Sequence, residues 1–171
     1  MTQTITAEVV RAWGRRYSNW GRWGKDDHKG TLNFITEDRV LAACALPRSG
    51  RVVSCGLNFD QKGPQSGVGG RHNPIHTMTA DGGDALAGAQ RHLPGGFNYA
   101  DDAVTMPLQC GTQWDALAHV FYDGKMYNDR DVSLVTSRGA KANSIDRIKD
   151  GVVGRGVLLD LPLFLKRPWL D

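Results

Sequence analysis

The sequence has few cysteines, no long apolar run and little excess charge of either sign. Its 171 residues include only 3 cysteines, with no CxxC pair, so a disulfide framework is not expected. No stretch of about 18 apolar residues occurs, and the chain does not begin with a basic and then an apolar segment, which argues against a membrane-spanning or secreted protein. The 21 basic and 18 acidic side chains leave a net charge of only +3. We therefore expect a cytoplasmic protein that binds neither membranes nor nucleic acid.

The remaining composition is that of an ordinary globular protein, with 40% hydrophobic and 23% charged residues. A chain of this length can bury roughly 70% of its unfolded surface, so one domain over residues 1–171 is expected. The apolar surroundings of Cys44, Cys55 and Cys110 predict reduced, buried thiols. Glycine is in excess, with 21 residues, and nine of them fall in segment 60–102. That segment has no sustained periodicity, which is typical of a loop that covers a site or of a loosely ordered insertion, and we prefer the first interpretation.

Outside that segment, helical and strand patterns alternate, which predicts an α/β fold. A helix is predicted over Thr6–Tyr17 with Thr6 as its N-cap, and a second helix after Thr36. Further along the chain, strands are predicted at Arg51–Phe59, Val104–Leu108 and Gly156–Leu161, and a helix at Trp114–Phe121.

Aromatic and basic side chains are interleaved near the N-terminus, at Trp13, Tyr17, Trp20, Trp23 and the arginines and lysine among them. Such a pattern can bind single-stranded nucleic acid by stacking and phosphate contact. The low net charge favours packing with solvated charge instead, and some of these rings would suit a substrate pocket.

Residues 109–119 hold the densest set of side chains suited to chemistry. Asp115 and His119 are four residues apart, so on a helix they share a face. A carboxylate and an imidazole so placed can share a divalent metal, or one can hold the metal while the other moves a proton. Alternatively, Asp115 forms a capping box with Thr112, and His119 is a satisfied core histidine.

The segment resembles the signature of the cyclase or kynurenine formamidase-like metal-dependent hydrolases, His-x-Gly-Thr-His-x-Asp-x-x-x-His. Four positions match, at Gly111, Thr112, Asp115 and His119, whereas Gln109 and Gln113 replace the first two histidines. Other matching stretches are Trp23-Gly24, Gly30-Thr31-Leu32-Asn33, Arg71 to Met78, Phe121 to Asn128 and Gly154 to Asp160. The similarity therefore extends over nearly the whole chain.

This resemblance implies a swivelling β/β/α fold, a bound divalent metal (zinc or manganese), and hydrolysis of an amide, ester or lactone in a small-molecule substrate. It implies metal ligands at Gln109, Gln113 and Asp115, and an acid/base at His119. Glutamine offers only a neutral carbonyl oxygen, which favours a harder ion such as manganese. The family's chains continue beyond the strand matched here and add a His and an acidic ligand, so we expect this chain to be an incomplete, N-terminal portion.

Three further residues are candidates for substrate binding. A turn at Asn73-Pro74 disfavours a helix, so His72 and His76 need not share a face. The turn would set His76 over the site, where it binds a substrate carbonyl or fills a metal position. Arg71 would orient a substrate carboxylate, and Trp114 would line the pocket. The alternative function is a non-catalytic binding or oligomerisation subunit, and a homo-oligomer is expected in either case.

Overall fold

The computed structural model describes residues 5–169 as a mixed α/β protein with small sheets. The chain forms two compact units. The discontinuous unit contains Met1–Gly50 and Asp115–Asp171, and the central unit contains Arg51–Trp114. The prediction that the N-terminus carries no secretion signal concerns residues 1–4 in part, and these lie outside the described residues.

The helices and strands are short and are numbered in chain order. They are α1 (Ala7–Arg16), α2 (Glu37–Cys44), β1 (Ile75–Ala80), α3 (Gly82–Ala87), β2 (Asp101–Thr105), β3 (Lys125–Met126), β4 (Arg130–Asp131), β5 (Val135–Thr136), β6 (Gly139–Ala140) and α4 (Leu161–Leu165). Antiparallel pairing joins β1 to β2, β3 to β4 and β5 to β6. Within the described range, no helix combines the length and the apolar character that a membrane crossing requires.

The two predicted N-terminal helices are confirmed. Thr6 has extended backbone before α1, and its Oγ1 accepts a hydrogen bond from Val9 N at 3.3 Å. Thr36 occupies the same position before α2, although its side chain makes no capping hydrogen bond. Glu37 and Asp38 in the first turn of α2 stabilise it through the helix dipole. Local sequence signals were therefore sufficient for these two elements.

Small side chains form the core of the discontinuous unit. Ala116, Ala118, Met126 and Ala142 are buried together. Partly buried residues pack around them, namely Val135 and Ala140 of the β5–β6 hairpin and Leu134 just before it. The hairpins β3–β4 and β5–β6 thus cover the segment that carries the second half of the signature.

The central unit is built on the β1–β2 hairpin and on α3. Asp81 and Asp84 form a reciprocal capping box at the start of α3, and Gly88 ends the helix in the left-handed conformation. Both α3 and β1 lie in segment 60–102, so the segment is not a loop without regular elements, and its role as a cover for a site stays a prediction. The β1 side chains are exposed on both faces of the two-stranded sheet, which removes the alternation by which a strand is recognised.

Two predicted strands are wrong. Residues 51–59 and 156–160 form no strand, and their apolar side chains are exposed, with 94% of Val52 and 86% of Leu158 accessible. Leu161 instead begins α4, because Asp160 caps it by accepting from Leu163 N at 2.9 Å. An apolar run of strand length indicates a segment that could be buried, but it does not identify a neighbouring strand with which to pair.

Two other predictions are only partly right. The strand predicted at Val104–Leu108 is β2, which begins and ends three residues earlier. The three cysteines are free, but Cys44 and Cys55 are exposed, so their predicted burial is wrong and holds only for Cys110. Cys44 ends α2, which has no buried residue.

Candidate functional site

The first half of the signature is a loop held by packing within the central unit. A 3-10 turn at Leu108–Cys110 places the Cys110 side chain in the interior, with only 1% exposed. Gly111 follows with extended backbone, and a Cβ there would lie 3.0 Å from a ring carbon of Phe59. This distance is shorter than most Cβ contacts, so the Phe59 ring would have to shift by a few tenths of an ångström to admit a side chain at position 111.

The two signature glutamines belong to this same loop. Gln109 is half-buried, and its carbonyl accepts a hydrogen bond from Gln65 Nε2 at 3.1 Å, whereas Gln113 is exposed. Thr112 Oγ1 accepts from Leu57 N at 2.9 Å. The threonine therefore anchors the loop to its own unit, and the predicted capping box that begins a helix at Thr112 is wrong.

The predicted helix over Trp114–Phe121 is also wrong. The chain stays extended at Ala116 and forms only a 3-10 turn at Leu117–His119. Ala116 and Ala118 are both buried while the residue between them is exposed. Burial at every second position suits extended backbone and not an α-helix, so the core contacts of the unit override the local helical pattern.

Asp115 and His119 nevertheless lie in direct contact in the discontinuous unit. His119 Nδ1 donates a hydrogen bond to Asp115 Oδ1, which also accepts from Ala116 N at 3.2 Å. The His119 side chain is 43% exposed, so it is not a core histidine. A carboxylate only accepts hydrogen bonds, so the ring proton is on Nδ1 and the neutral ring has its lone pair on Nε2. This tautomer can take up and return a proton at Nε2.

The predicted metal ligands are one carboxylate, from Asp115, and two side-chain amides, from Gln109 and Gln113. No group of three or more His, Cys, Asp or Glu side chains among residues 5–169 is placed to hold a metal ion. Asp115 uses Oδ1 for both of its hydrogen bonds, so Oδ2 has no protein partner within those residues. Carboxylate and amide oxygens fit a hard divalent cation such as manganese better than zinc. The predicted ligands divide between the units, with Gln109 and Gln113 in one and Asp115 in the other.

A second histidine and carboxylate pair lies on the β1–β2 hairpin. His76 Nε2 donates to Asp102 Oδ2 at 2.6 Å, and the two side chains are 53% and 58% exposed. His72 precedes the strand, and its Nδ1 donates to the Asn73 carbonyl at 2.8 Å. The two histidines do not share a helix, as predicted. His76 has a specific partner that the sequence did not indicate.

A network of polar side chains surrounds Asn143 in the discontinuous unit, where only 1% of this residue is exposed. Asn143 Oδ1 accepts from Arg130 Nη1 at 2.9 Å, and Nδ2 donates to the Tyr127 carbonyl at 2.9 Å. The Asn143 backbone N–H donates to His28 Nδ1 at 3.0 Å, and the Asn143 carbonyl accepts from Ala118 N at 3.0 Å. Asn143 therefore links the start of the chain to the segment that positions His119.

Asp27 accepts the other hydrogen bonds of this network. Burial disfavours its charged form, but donors including Asn33 Nδ2 at 2.7 Å and the Tyr127 hydroxyl at 2.7 Å outweigh burial and lower the pKa of Asp27. Burial, and then the hydrogen bond and charge of Asp27, raise the pKa of Tyr127 to about 12. Asp27 is thus a charged acceptor and Tyr127 a neutral donor at physiological pH.

His28 is held neutral in the same network. Burial lowers its pKa, and so do the positive charges of Arg130 and Arg147, while the contact of its Nδ1 with the Asn143 side-chain Oδ1 at 3.2 Å and the charge of Asp27 oppose them. His28 also lines a cleft of ≈ 470 Å³ with Asp26, Asp27, Lys29, Asn33, Asp146, Arg147, Lys149 and Asp150. The lining of this cleft combines four acidic with three basic side chains, so neither charge dominates.

Comparison with known proteins identifies the family. The sequence model described as "Cyclase: Putative cyclase" matches residues 23–167. The chain belongs to the cyclase family. It is also similar to a crystal structure of a novel cyclase, with 37% identity and a TM-score of 0.78 over 88% of this chain. The chain spans 50% of the length of that structure. Curated proteins include no match to it.

Family membership confirms the resemblance on which the site was predicted. The matched range includes the residues of the Asn143 network, which the sequence did not indicate. Of its members, Asp27 lies three residues before the stretch Gly30 to Asn33, and Tyr127 lies within the stretch Phe121 to Asn128 that carried the resemblance. The polar side chains in and near these two stretches were the sequence feature that could have indicated the network.

Two of the predicted substrate contacts in this cyclase-family chain are exposed side chains of the central unit. Arg71 follows the 3-10 turn Val68–Gly70, and its backbone N–H donates to the Val68 carbonyl at 3.4 Å. Trp114 is 58% exposed. Their roles stay predictions, as do the metal-binding roles of Gln109 and Gln113.

Proposed function

We propose that the protein is a metal-dependent hydrolase that cleaves an amide, ester or lactone bond of a small-molecule substrate. The observation that carries the proposal is the hydrogen bond between His119 Nδ1 and the Asp115 carboxylate. It supports the role because it orients an exposed imidazole and assigns its tautomer. Membership of the cyclase family adds support.

Gln109, Gln113 and Asp115 would hold the metal through oxygen atoms. When bound, a divalent zinc or manganese ion would lower the pKa of a water molecule towards neutrality and polarise the substrate carbonyl. Arg71 would pair with a substrate carboxylate, and Trp114 would pack against its apolar part.

His119 then performs the proton transfers. Its Nε2 accepts a proton from water as the water oxygen bonds to the carbonyl carbon. The same nitrogen returns that proton to the leaving nitrogen or oxygen as its bond to the carbonyl carbon breaks. The Asp115 carboxylate keeps the ring in place and stabilises the transient imidazolium.

Replacement of His119 tests this proposal. We expect His119→Ala to lower the rate of hydrolysis about 100- to 10,000-fold, the usual contribution of a general acid–base group, while bound metal measured by elemental analysis is retained. His92→Ala is the matched control, because His92 is another exposed histidine with no assigned role. Unaltered hydrolysis in His119→Ala would contradict the assignment.

A binding or oligomerisation subunit is the second candidate. The exposed apolar side chains of segment 152–165, such as Leu158 and Phe164 at 86% and 80% exposure, support it, since exposed apolar patches mark sites of association. Mass in solution and metal content of the purified chain separate the candidates. A metal-free, inactive oligomer supports the subunit, and a metal-bound hydrolase supports the enzyme.

A further inference from the structure

We propose that Asp102 is a positioning residue that holds His76 in one tautomer, so that His76 Nδ1 accepts a hydrogen bond from an N–H or O–H group of the substrate. This inference rests on the proposed function and deepens it. It assigns Asp102, which the sequence did not single out, to the binding of substrate.

The register of the β1–β2 hairpin places the pair on one face. His76 lies opposite Val104, and Met78 lies opposite Asp102. Directly opposed residues of an antiparallel pair share a face, and so do alternate residues of one strand. His76 and Asp102 are therefore diagonal neighbours, which brings Nε2 to 2.6 Å from Oδ2.

The identity of the acceptor decides the tautomer. A carboxylate has no proton to give, so Nε2 of His76 carries the hydrogen and the neutral ring has its lone pair on Nδ1. The bond to Asp102 is the ring's recorded hydrogen bond within residues 5–169, and half of the side chain is exposed. Neutral His76 therefore accepts at Nδ1 and does not donate to a substrate carbonyl, which revises the role expected from the sequence.

Stability is a poor explanation for this pair. Exposed ion pairs contribute only about 0 to 1 kcal/mol, and both side chains here are more than half exposed. The same face presents Met78 and Val104, with 47% and 55% of their surfaces exposed. These side chains share the face with the oriented imidazole, and small-molecule sites combine apolar side chains with a few placed polar groups.

The His76–Asp102 pair and the His119–Asp115 pair use different imidazole nitrogens. Asp115 engages Nδ1 of His119, whereas Asp102 engages Nε2 of His76. The two carboxylates thus select opposite tautomers. Proton transfer at His119 and acceptance of a substrate hydrogen bond at His76 are separate tasks, and each carboxylate supports one of them.

The experiment compares Asp102→Asn with Asp101→Asn in the full chain. Asp101 is the adjacent exposed carboxylate, and its Oδ1 accepts only from Asp102 N, which an asparagine oxygen can also do. The readouts are the tautomer of His76 from ¹⁵N-histidine NMR, the affinity for benzamide as an amide N–H probe, and KM and kcat for an amide or ester substrate.

We expect Asp102→Asn to reduce the Nε2–H tautomer of His76, because an amide can donate to Nε2 as well as accept from it and so no longer selects one tautomer. Benzamide binding should weaken about tenfold and KM should rise about tenfold with little change in kcat, as expected for loss of one hydrogen bond. Asp101→Asn should match the wild type. Because Asp102 acts through His76, Asp102→Asn should have no further effect on benzamide affinity or KM in a His76→Ala background. Metal content should stay unchanged in all variants.

Three results would overturn the inference: an unchanged tautomer in Asp102→Asn, a full additional effect in the His76→Ala background, or a His76 signal that benzamide does not alter. Loss of metal in His76→Ala would show a ligand instead of a substrate contact. If the wild type hydrolyses no amide, ester or lactone, the proposed function fails. The tautomer and the benzamide affinity still decide the role of Asp102.

Discussion

The Asp115 carboxylate and the His119 imidazole are hydrogen-bonded to each other although no α-helix joins them. The four-residue spacing that predicts a shared helix face is met instead by extended backbone followed by a 3-10 turn, Leu117–His119. Burial of Ala116 and Ala118 sets that path. The pairing of the side chains was therefore predicted correctly, but from the wrong secondary structure.

Metal preference is the first prediction. Amide oxygens favour manganese, whereas an imidazole nitrogen suits zinc, so we expect Gln113→His to raise the affinity for zinc relative to manganese by about tenfold, or ~1.4 kcal/mol. Competition between the two metals, followed by elemental analysis, measures this ratio. Gln61→His, at an exposed position without a predicted role, is the control. An unchanged ratio would show that Gln113 is not a ligand.

The second prediction concerns stability at Asn143. We expect Asn143→Ala to lower the free energy of unfolding by about 3 kcal/mol, because it removes two buried side-chain hydrogen bonds and puts alanine at a φ of 57°. Denaturant unfolding measures the loss. Asn98→Ala, which removes one exposed hydrogen bond to the Gly96 carbonyl, should cost less than about 0.5 kcal/mol. Equal costs for the two variants would argue against the network.

The third prediction is a dependence of stability on pH that originates at His28. The pKa of His28 is lowered in the folded protein, so below about pH 6.5 the unfolded chain binds a proton that the folded chain does not. The free energy of unfolding should therefore fall as the pH decreases from that value, and His28→Gln should flatten this slope. Denaturant titrations between neutral and mildly acidic pH measure it.

The matched control for the pH experiment is His92→Gln, which removes an exposed histidine and should keep the wild-type slope. Asp27 affects stability in a separate, more acidic pH range. Its pKa is lowered in the folded protein, so its contribution to the free energy of unfolding is lost only as the carboxylate is protonated. Identical slopes for the wild type and His28→Gln would show that His28 is not held neutral.

The fourth prediction concerns Gly111. A methyl group there would lie 3.0 and 3.2 Å from two ring carbons of Phe59, so the ring would have to shift by a few tenths of an ångström. Because Phe59 is 52% exposed, part of this strain can relax, and we expect Gly111→Ala to cost about 1 kcal/mol of stability. Phe59→Leu in the same chain should recover part of the loss. Gly56→Ala is the control in the same unit, because its Cβ would meet only Ser54 Oγ at 3.8 Å. The denaturant midpoint measures each variant, and equal effects of Gly111→Ala and Gly56→Ala would contradict the close approach.

The sequence was most informative where contacts are local. Thr6 and Thr36 begin the two helices as predicted, because an N-cap acts on backbone groups two or three residues away. The family resemblance, which depends on short motifs, is likewise confirmed. The apolar runs at 51–59 and 156–161 failed as strand predictions, since a strand requires a hydrogen-bonding partner that periodicity cannot name.

The order of residues was enough to establish the family, the mixed α/β class and the pairing of Asp115 with His119, because each depends on neighbours in the chain. Tertiary structure alone decided that His76 meets Asp102, 26 residues away, and that His28 meets Asn143, 115 residues away. These contacts form only when hairpins and loops from distant segments pack together. A hydrogen-bond partner is a property of positions in space, and the polar residue types in the sequence are compatible with many such positions.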